Sequence, residues 1–259
     1  MSTIRNRMTK LNGGTPISDG PFRNGSMYLT YTNEGMPIGA FWGYKTDGLI
    51  QTQEQLNAVK RADFQPNAEL GDVLFVDTNG DGKLDSSDRC MIGNPIPDII
   101  YGINMGMAWK GFDLNLQFGG TIGNQIFNAM RYYTYFPNDI TNKDRALMNY
   151  WTPNNTNTDI PRLTATDVND NDRFSDMYVE NGTYFRLRNA QLGYTLPASL
   201  TQRIKLQKVR FYVSGQNLFT ISSYSGMDPE VGQSSSLSRG IDYGIYPQNI
   251  SFTGGINVT

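Results

Sequence analysis

The chain has 259 residues, with 22 lysines and arginines against 24 aspartates and glutamates, and a formal net charge of −2. It contains no histidine and one cysteine, Cys90, which excludes a Ser-His-Asp triad, a Cys-His pair, a histidine zinc site and an intramolecular disulfide. The near-neutral charge gives no basic stripe for nucleic acid, and 27 glycines, 15 tyrosines and 13 phenylalanines favour strands and turns. The composition therefore predicts an all-β protein without histidine-based catalysis.

The first 72 residues predict one hairpin and one helix. A short strand is expected within residues 3–8, and a loop rich in Gly, Pro and Ser follows it. Residues 26–32 alternate apolar and polar side chains, and a turn at residues 33–35 leads into a second strand over residues 38–44. Residues 46–72 are polar, with a brief helical pattern at residues 53–62.

Residues 77–88 match the spacing of a calcium-binding loop. Gly82 stands at the sixth position, where such a loop reverses sharply, and the last position is Asp88 instead of the usual Glu. The shorter Asp88 side chain predicts a lower affinity, because bidentate closure is harder to reach. We predict that Ca²⁺ binds here, with Mg²⁺ or a metal-free, solvated loop as alternatives. The predicted ligands are Asp77, Asn79, Asp81, Lys83 through its backbone carbonyl, Asp85 and Asp88.

Residues 98–118 predict an antiparallel hairpin whose two faces differ. A turn at Lys110 and Gly111 separates two strands that alternate apolar with polar or small residues. The apolar face would be the core of a soluble sandwich, or the lipid-facing surface of an outer-membrane barrel. Tyr101 and Trp109 lie near the ends of the apolar row, where barrels carry aromatic girdles, which favours the barrel. The apolar row consists of Ile99, Tyr101, Ile103, Met105, Met107, Trp109, Phe112, Leu114, Leu116 and Phe118.

Three further strands are predicted over residues 184–196, 209–219 and 250–258, after a connection that contains a helical pattern at residues 143–151. In the first of these strands, Arg186 and Arg188 share their parity with apolar residues such as Leu192. Either a bulge changes the register, or the upper half of the strand stands above the membrane. An arginine in lipid costs about 2–4 kcal/mol at the midplane, which favours the second interpretation.

The connections between these strands alternate in length. Those at residues 46–97, 120–182 and 224–246 are long, whereas those at residues 33–35, 110–111 and 197–208 are short. Outer-membrane barrels sort their loops in this way, with long extracellular loops and short periplasmic turns, and a sandwich does not. The pattern therefore predicts part of a transmembrane antiparallel β-barrel and places the predicted calcium loop outside the cell.

Several segments, in this order along the chain, carry a family resemblance: GMPIGAFWGYKTDGLIQ, GDVLFVDTNGDGKLDSSDRCMIGNPIPDIIYGINMGMAWKGFDLNLQF, YWTPNNTNTDIPRL, YFRLRNAQLGYTLP, VRFYVSGQNLFTISSYSGMDPEV and FTGGINVT. Over nearly its whole length the sequence resembles the C-terminal barrel region of SusC/RagA-type TonB-linked outer-membrane proteins, the nutrient importers of Bacteroidetes. The resemblance implies an intact barrel of about 22 strands with a plug domain inside it. It also implies energisation by TonB and a SusD-like lipoprotein lid that helps to capture oligosaccharides or peptides.

The same resemblance implies parts that this sequence does not show. A plug domain, a TonB box and a signal peptide are not recognised, the last residues lack a final aromatic side chain, and about seven or eight strands cannot close such a barrel. We therefore expect residues 1–259 to be a C-terminal segment of barrel wall with a calcium-loop insertion at residues 71–97. Such a segment needs the remaining strands, from the same chain or from another.

Two other functions stay open at this point. A secreted β-sandwich stapled by calcium could bind carbohydrate through its aromatic side chains. An enzyme would need a carboxylate pair such as Asp167 with Asp170 or Asp228 with Glu230, but the sequence does not fix either separation.

For a transport component, the candidate contacts to substrate or lid are Trp42, Tyr44 and the connections at residues 120–182 and 224–246. The alternative role for the aromatic side chains is packing within a girdle or loop. Cys90 is interpreted as a small buried hydrophobe and not as a nucleophile.

Overall fold

The computed structural model describes residues 1–135, 142–232 and 235–259. The strands are β1 (Ser2–Thr3), β2 (Ile17–Phe22), β3 (Met27–Thr32), β4 (Ala40–Gly43), β5 (Thr46–Leu49), β6 (Val73–Phe75), β7 (Cys90–Gly93), β8 (Ile99–Trp109), β9 (Phe112–Ile122), β10 (Gln125–Asn128), β11 (Val179–Asn181), β12 (Tyr184–Thr195), β13 (Val209–Ser222), β14 (Ile241–Asp242) and β15 (Ser251–Val258). The helices are α1 (Gln53–Arg61), α2 (Ala129–Tyr135) and α3 (Ala198–Thr201), with 3₁₀ turns at Ser86–Asp88, Arg145–Asn149, Asp176–Tyr178 and Gln202–Ile204. Within the described residues, no helix combines the length and the apolar character needed to cross a membrane.

The largest sheet, here called the main sheet, contains six antiparallel strands in the order β1-β8-β9-β12-β13-β15. Strands β8 and β9 form the predicted hairpin, paired from Trp109 with Phe112 to Ile99 with Ile122. Lys110 and Gly111 between them both have positive φ, which a two-residue hairpin turn requires. The strands of this sheet are therefore those that the alternating pattern of residues 98–258 predicted.

The two faces of the main sheet differ in chemistry, because the pairing aligns residues of the same parity across the strands. One row of the apolar face runs through Met107, Leu114, Leu192 and Val213. Nothing in the described chain covers this face, and the Trp109 side chain, for example, is 69% exposed. A soluble sandwich would bury such a surface against a second sheet. The opposite face carries Asn104, Asp113, Asn115, Gln117, Gln191, Arg210, Ser214 and Thr253.

A bulge in β12 explains the two arginines. The register shifts between Leu187 and Asn189, so Arg188 has no direct partner on β9, and Phe185 and Leu187 continue the apolar face. Arg186 consequently points to the polar side. The pairing thus shows the bulge, the first of the two interpretations, and the bulge accounts for the parity of Arg186.

The long connections, at residues 4–98, 123–183 and 223–250, pack together at one end of the main sheet and are here called the loop domain. They form a four-stranded sheet (β2-β3-β4-β7), a three-stranded sheet (β11-β10-β14) and the pair β5-β6. Their largest core combines side chains from all three connections, so the connections form one folded unit. That core contains Phe22, Leu29, Phe41, Phe127, Ala129, Tyr132, Phe174, Tyr178 and Ile241.

The hairpin predicted at residues 26–44 exists as β3 and β4, but it belongs to the loop domain and not to the main sheet. Leu29 and Phe41 in it are completely buried. Strand β1 pairs with Ile99 and Ile100 at the start of β8, so residues 4–98 leave the main sheet and return to it at the same end. The turn at residues 33–35 is therefore on the side of the long connections, and the main sheet has six strands among the described residues, not seven or eight. Alternation alone does not distinguish a wall strand from a strand in a small folded domain.

The predicted helices are present in modified form. The pattern at residues 53–62 forms α1, which begins with a capping box between Thr52 and Gln55. The pattern at residues 143–151 forms only the 3₁₀ turn Arg145–Asn149, and the strand expected within residues 3–8 is reduced to β1.

Candidate functional site

The polar face of the main sheet carries an ion pair near its short-turn end. Arg210 of β13 donates to Asp113 of β9 through Nε at 2.8 Å and through a terminal guanidinium nitrogen at 2.5 Å. This bidentate geometry is the strong form of the arginine–carboxylate pair. Around the pair, the face consists mainly of amides, hydroxyls and glycines, which suit contact with water or with a polar solute.

A second ion cluster joins the main sheet to the loop domain. Arg186, which is 2% exposed, donates to Asp228 at 2.5 Å, to Glu230 at 2.8 Å and to the Thr220 hydroxyl at 2.8 Å. Arg188 donates to the other carboxylate oxygen of Glu230 at 3.0 Å. Asp228 and Glu230 belong to the connection at residues 223–250, so the cluster fastens this connection to β12.

The environment of Asp228 favours its charged form. Burial raises the pKa of this carboxyl, but backbone N–H groups of Gln248 and Glu230 and the Arg186 guanidinium donate to it and outweigh the burial. The pKa of Asp228 therefore lies below its ordinary value. Both carboxylates of the Asp228 and Glu230 pair accept hydrogen bonds from arginines, so the structure shows them fastening residues 223–250 to β12.

Asp167 and Asp170, the other carboxylate pair considered for catalysis, have different hydrogen-bond partners. Asp170 pairs with Arg173 at 2.9 Å, whereas Asp167 accepts the backbone N–H of Asp172 at 3.1 Å. Burial raises the pKa of the Asp167 carboxyl above its ordinary value. The structure gives the two carboxylates no common partner among their hydrogen bonds.

A buried polar network joins the first long connection to the second. Asp72 is completely buried and accepts from Arg162 Nε at 2.6 Å and from the Asn171 amide at 3.0 Å. Asn171 in turn accepts the backbone N–H of Val73 at 2.8 Å, and Gln65 donates to the Asn169 side chain at 3.0 Å. Buried groups that satisfy each other in this way fix one arrangement of the two connections.

At the start of the predicted calcium loop, the backbone of residues 77–82 has the winding of a calcium-binding loop. Asp77 accepts the backbone N–H groups of Gly80 at 2.6 Å and Gly82 at 2.8 Å, and Gly82 has a φ of +77°. Asp88, at the other end, is completely buried and accepts from the backbone N–H groups of Thr78 and Asp85.

The remaining predicted ligands of this loop make local contacts. Asp81 accepts the Lys83 N–H at 2.9 Å and the Asn79 amide at 3.0 Å, and Asp85 accepts the Ser87 N–H at 2.7 Å. In the described part of the chain, no three acidic or cysteine side chains converge in a way that could hold a metal ion. The loop therefore has the backbone winding of a calcium site without converging carboxylates, and calcium binding stays a prediction.

A cleft of about 490 Å³ lies in the loop domain between α2 and residues 225–244. Its lining combines polar and apolar side chains, a mixture typical of small-ligand sites. Both segments belong to the connections that the sequence singled out for substrate contacts, but no sequence signal identified the individual residues. The lining includes Asn128, Met130, Arg131, Ser225, Met227 and Tyr243.

The aromatic residues singled out in the sequence take part in packing. Trp42 stacks on Tyr31, with 4.6 Å between the ring centroids, and Tyr44 meets the edge of Phe75 at 5.9 Å. Cys90 is a free, partly buried thiol at the start of β7, and burial raises its pKa, which disfavours the reactive thiolate.

Comparison with known proteins places these features in a family. TonB-dependent receptor P3 of Formosa agariphila is 37% identical over 269 residues, which cover 99% of this chain and 26% of that receptor. TonB-dependent receptor SusC of Bacteroides thetaiotaomicron is 29% identical over 196 residues, which cover 75% of this chain and 18% of SusC. The RagAB peptide importer in its open-open state matches 97% of this chain and 25% of its own chain, with a TM-score of 0.70 and 25% identity. The chain belongs to the SusC/RagA-type TonB-dependent receptors. No family model matches the chain.

As a SusC/RagA-type chain it is an outer-membrane protein, and the main sheet is part of an all-β barrel. The chain spans about a quarter or less of the curated relatives it matches. These relatives are receptors, and none of them supports the soluble sandwich.

The dimensions of the apolar face agree with this location. Aromatic side chains mark both ends of it, with Tyr101 and Phe185 towards the loop domain and Trp109 and Tyr194 towards the short turns. Trp109 lies eight residue steps beyond Tyr101 along β8, which is about 27 Å of strand. At a strand tilt of about 40° this corresponds to roughly 20 Å along the membrane normal, close to the apolar band of about 25 Å in such barrels.

Proposed function

We propose that this SusC/RagA-type chain forms part of the barrel wall and of the outer loop domain of a TonB-dependent nutrient importer. The observation that carries the proposal is the main sheet itself, with one apolar and one polar face, joined at a single end to a folded loop domain. The apolar face provides the lipid contact, and the polar face, with Arg210 and Asp113, lines the interior. The loop domain supplies the outer surface at which a nutrient is captured.

We propose an oligosaccharide or a peptide as the nutrient, and a SusD-like lipoprotein as the partner that covers the loop domain. The support is similarity to SusC and to a solved peptide importer. TonB would supply energy through a part of the receptor other than these residues. We propose no catalytic role, in keeping with relatives that are receptors.

Membrane insertion is tested by cysteine labelling in outer membranes. Cys90→Ser gives a chain without cysteine, into which Leu114→Cys or Asn115→Cys is introduced on opposite faces of β9. A charged maleimide should label Asn115→Cys and leave Leu114→Cys unlabelled until the protein is denatured, because lipid covers the apolar face of the folded sheet. Equal labelling of both in intact membranes, or recovery of the folded chain in the soluble fraction, would contradict the proposal.

Transport is tested by growth of a strain that lacks the gene for this chain. We expect the loss of growth on one class of nutrient, oligosaccharide or peptide, and its restoration by the unmodified gene. Normal growth and uptake on both classes would refute the import function without affecting the membrane location.

We further propose that residues 77–88 bind Ca²⁺ weakly. The support is the sequence spacing together with the winding around Asp77 and Gly82. Binding would require the exposed carboxylates of Asp81 and Asp85 to turn inward, and that rearrangement lowers the expected affinity.

A further inference from the structure

The short-turn end of the main sheet is basic. Lys110 in the β8–β9 turn and Arg203, Lys205 and Lys208 in the β12–β13 turn are all exposed. Neither residues 109–112 nor residues 196–208 contain an aspartate or glutamate. Of the 24 acidic residues, Asp113 alone lies outside the three long connections. Charge is therefore sorted between the two ends of the sheet.

The single carboxylate near the short turns does not neutralise these cations. Asp113 is already held in a bidentate pair by Arg210, on the polar face of the sheet. An ion pair has little net charge, so Asp113 offsets mainly the charge of Arg210, and the four exposed cations of the two turns keep a net positive charge. We call Lys110, Arg203, Lys205 and Lys208 the basic turn surface.

The β12–β13 turn has a defined fold that presents these cations. Leu206 N–H donates to the Thr201 carbonyl at 3.1 Å, and Lys205 adopts a left-handed φ of +58° that ends the helical segment. Backbone N–H groups of Gln207 and Lys208 donate to the Thr259 carbonyl oxygen at 2.8 and 3.1 Å. The turn is thus attached to the end of β15, and the positions of its cations relative to the barrel wall are fixed.

Apolar side chains lie directly beside the cations. Trp109 ends the apolar row of β8 and is 69% exposed, with the Lys110 ammonium 4.8 Å from its ring centroid. Leu200, which precedes the cations of the other turn, is half exposed. An aromatic or apolar side chain followed at once by a cation is the arrangement found at a membrane–water boundary, where the charged end reaches the headgroups.

We propose that the basic turn surface binds the phosphate groups of anionic phospholipids in the membrane leaflet at the short-turn end. Guanidinium and ammonium groups are the side chains that bind phosphate best. A cluster of four cations beside an apolar belt has the composition of surfaces that recruit anionic lipid. A soluble acidic protein would explain the charge but not the exposed Trp109 and Leu200, so the lipid accounts for more of the observations. The interaction would fix the depth and tilt of this part of the wall.

The test measures lipid enrichment next to the turn in the membrane-inserted protein. Leu200→Cys in the Cys90→Ser background carries a bimane fluorophore, and the protein is isolated from outer membranes and placed in phosphatidylcholine vesicles. Spin-labelled phosphatidylglycerol is compared with spin-labelled phosphatidylcholine at equal, low mole fraction. We expect phosphatidylglycerol to quench at least about twofold more strongly. Raising NaCl from about 50 mM to about 500 mM should remove most of this excess, because salt screens exposed charges.

The matched variants neutralise three cations at either end. Arg203→Gln, Lys205→Gln and Lys208→Gln together should equalise quenching by the two lipids, whereas Lys10→Gln, Lys60→Gln and Arg61→Gln in the loop domain should leave the excess unchanged. Equal quenching in the unmodified protein, an excess that survives both high salt and the turn variant, or an equal loss in the loop-domain variant would each overturn the proposal. The salt series needs no substitution, so the proposal stays testable if the turn variant does not assemble.

Discussion

The main sheet and the loop domain differ in how they bury their apolar and polar side chains. The loop domain buries a mixed aromatic core and pairs buried polar side chains across its connections, as Asp72 does with Arg162 and Asn171. The main sheet leaves large apolar side chains such as Met105 and Trp109 exposed on one face and polar side chains exposed on the other. The long connections are thus built like a water-soluble domain, whereas the main sheet depends on lipid and on further strands.

The cluster that joins the two regions gives the largest expected effect. Arg186→Ala removes the partner of Asp228, which is 3% exposed, and should destabilise the attachment of residues 223–250 by about 3–5 kcal/mol, because a buried charge is left unpaired. The measurements are thermal unfolding of the membrane-inserted protein and limited proteolysis of this connection. Arg188→Ala, at a largely exposed arginine, is the control and should have a small effect. Equal destabilisation by Arg186→Ala and Arg188→Ala would show that the burial of Arg186 does not determine the loss of stability.

The next effect separates the two faces of the sheet. Met105 and Asn104 are neighbours on β8, exposed on opposite faces. Met105→Arg should cost about 2–4 kcal/mol, because the side chain would lie near the middle of the hydrocarbon region, whereas Asn104→Arg should be tolerated. Urea unfolding in vesicles and the heat-modifiable fraction report the difference. If both substitutions behave alike, the assignment of the apolar face to lipid fails.

Acid should loosen the loop domain at its junction with the sheet. The pKa of Asp228 is below its ordinary value, so the unfolded carboxyl binds protons more readily than the folded one. The stability it contributes is therefore complete above about pH 4 and is lost as the pH falls through the lowered pKa. Proteolysis of residues 223–250 from neutral to acidic pH should show this release, and Asp228→Asn should weaken its pH dependence. If the pH dependence of proteolysis at residues 223–250 is the same in Asp228→Asn, a group other than Asp228 causes the release of this connection.

The smallest effect is expected at the predicted calcium loop. Because the loop needs to rearrange, we expect a dissociation constant of about 10⁻⁴–10⁻³ M by calorimetry. Asp77→Asn with Asp81→Asn should abolish the binding heat, whereas Asp63→Asn, outside the loop, should not alter it. No binding heat in the unmodified protein, or equal binding heat in both variants, would contradict Ca²⁺ binding by residues 77–88.

The sequence by itself determined the period of β8 and β9, their two-residue turn and the opposite chemistry of their faces, because alternation and turn residues act locally. It also located α1 through the helical pattern at residues 53–62, and the structure added the capping box of Thr52. These features depend only on neighbouring residues. The resemblance to SusC/RagA-type receptors added that the sheet belongs to the wall of an outer-membrane barrel.

Only the tertiary structure decided which strands are wall and which are loop. The hairpin of β3 and β4 has the same alternation as a wall hairpin, but its partners are distant side chains such as Phe127 and Ile241. The bulge at Arg188 changed the face of Arg186 and gave it Asp228 as a partner 42 residues away. Such long-range contacts are set by packing and burial, which no local pattern encodes.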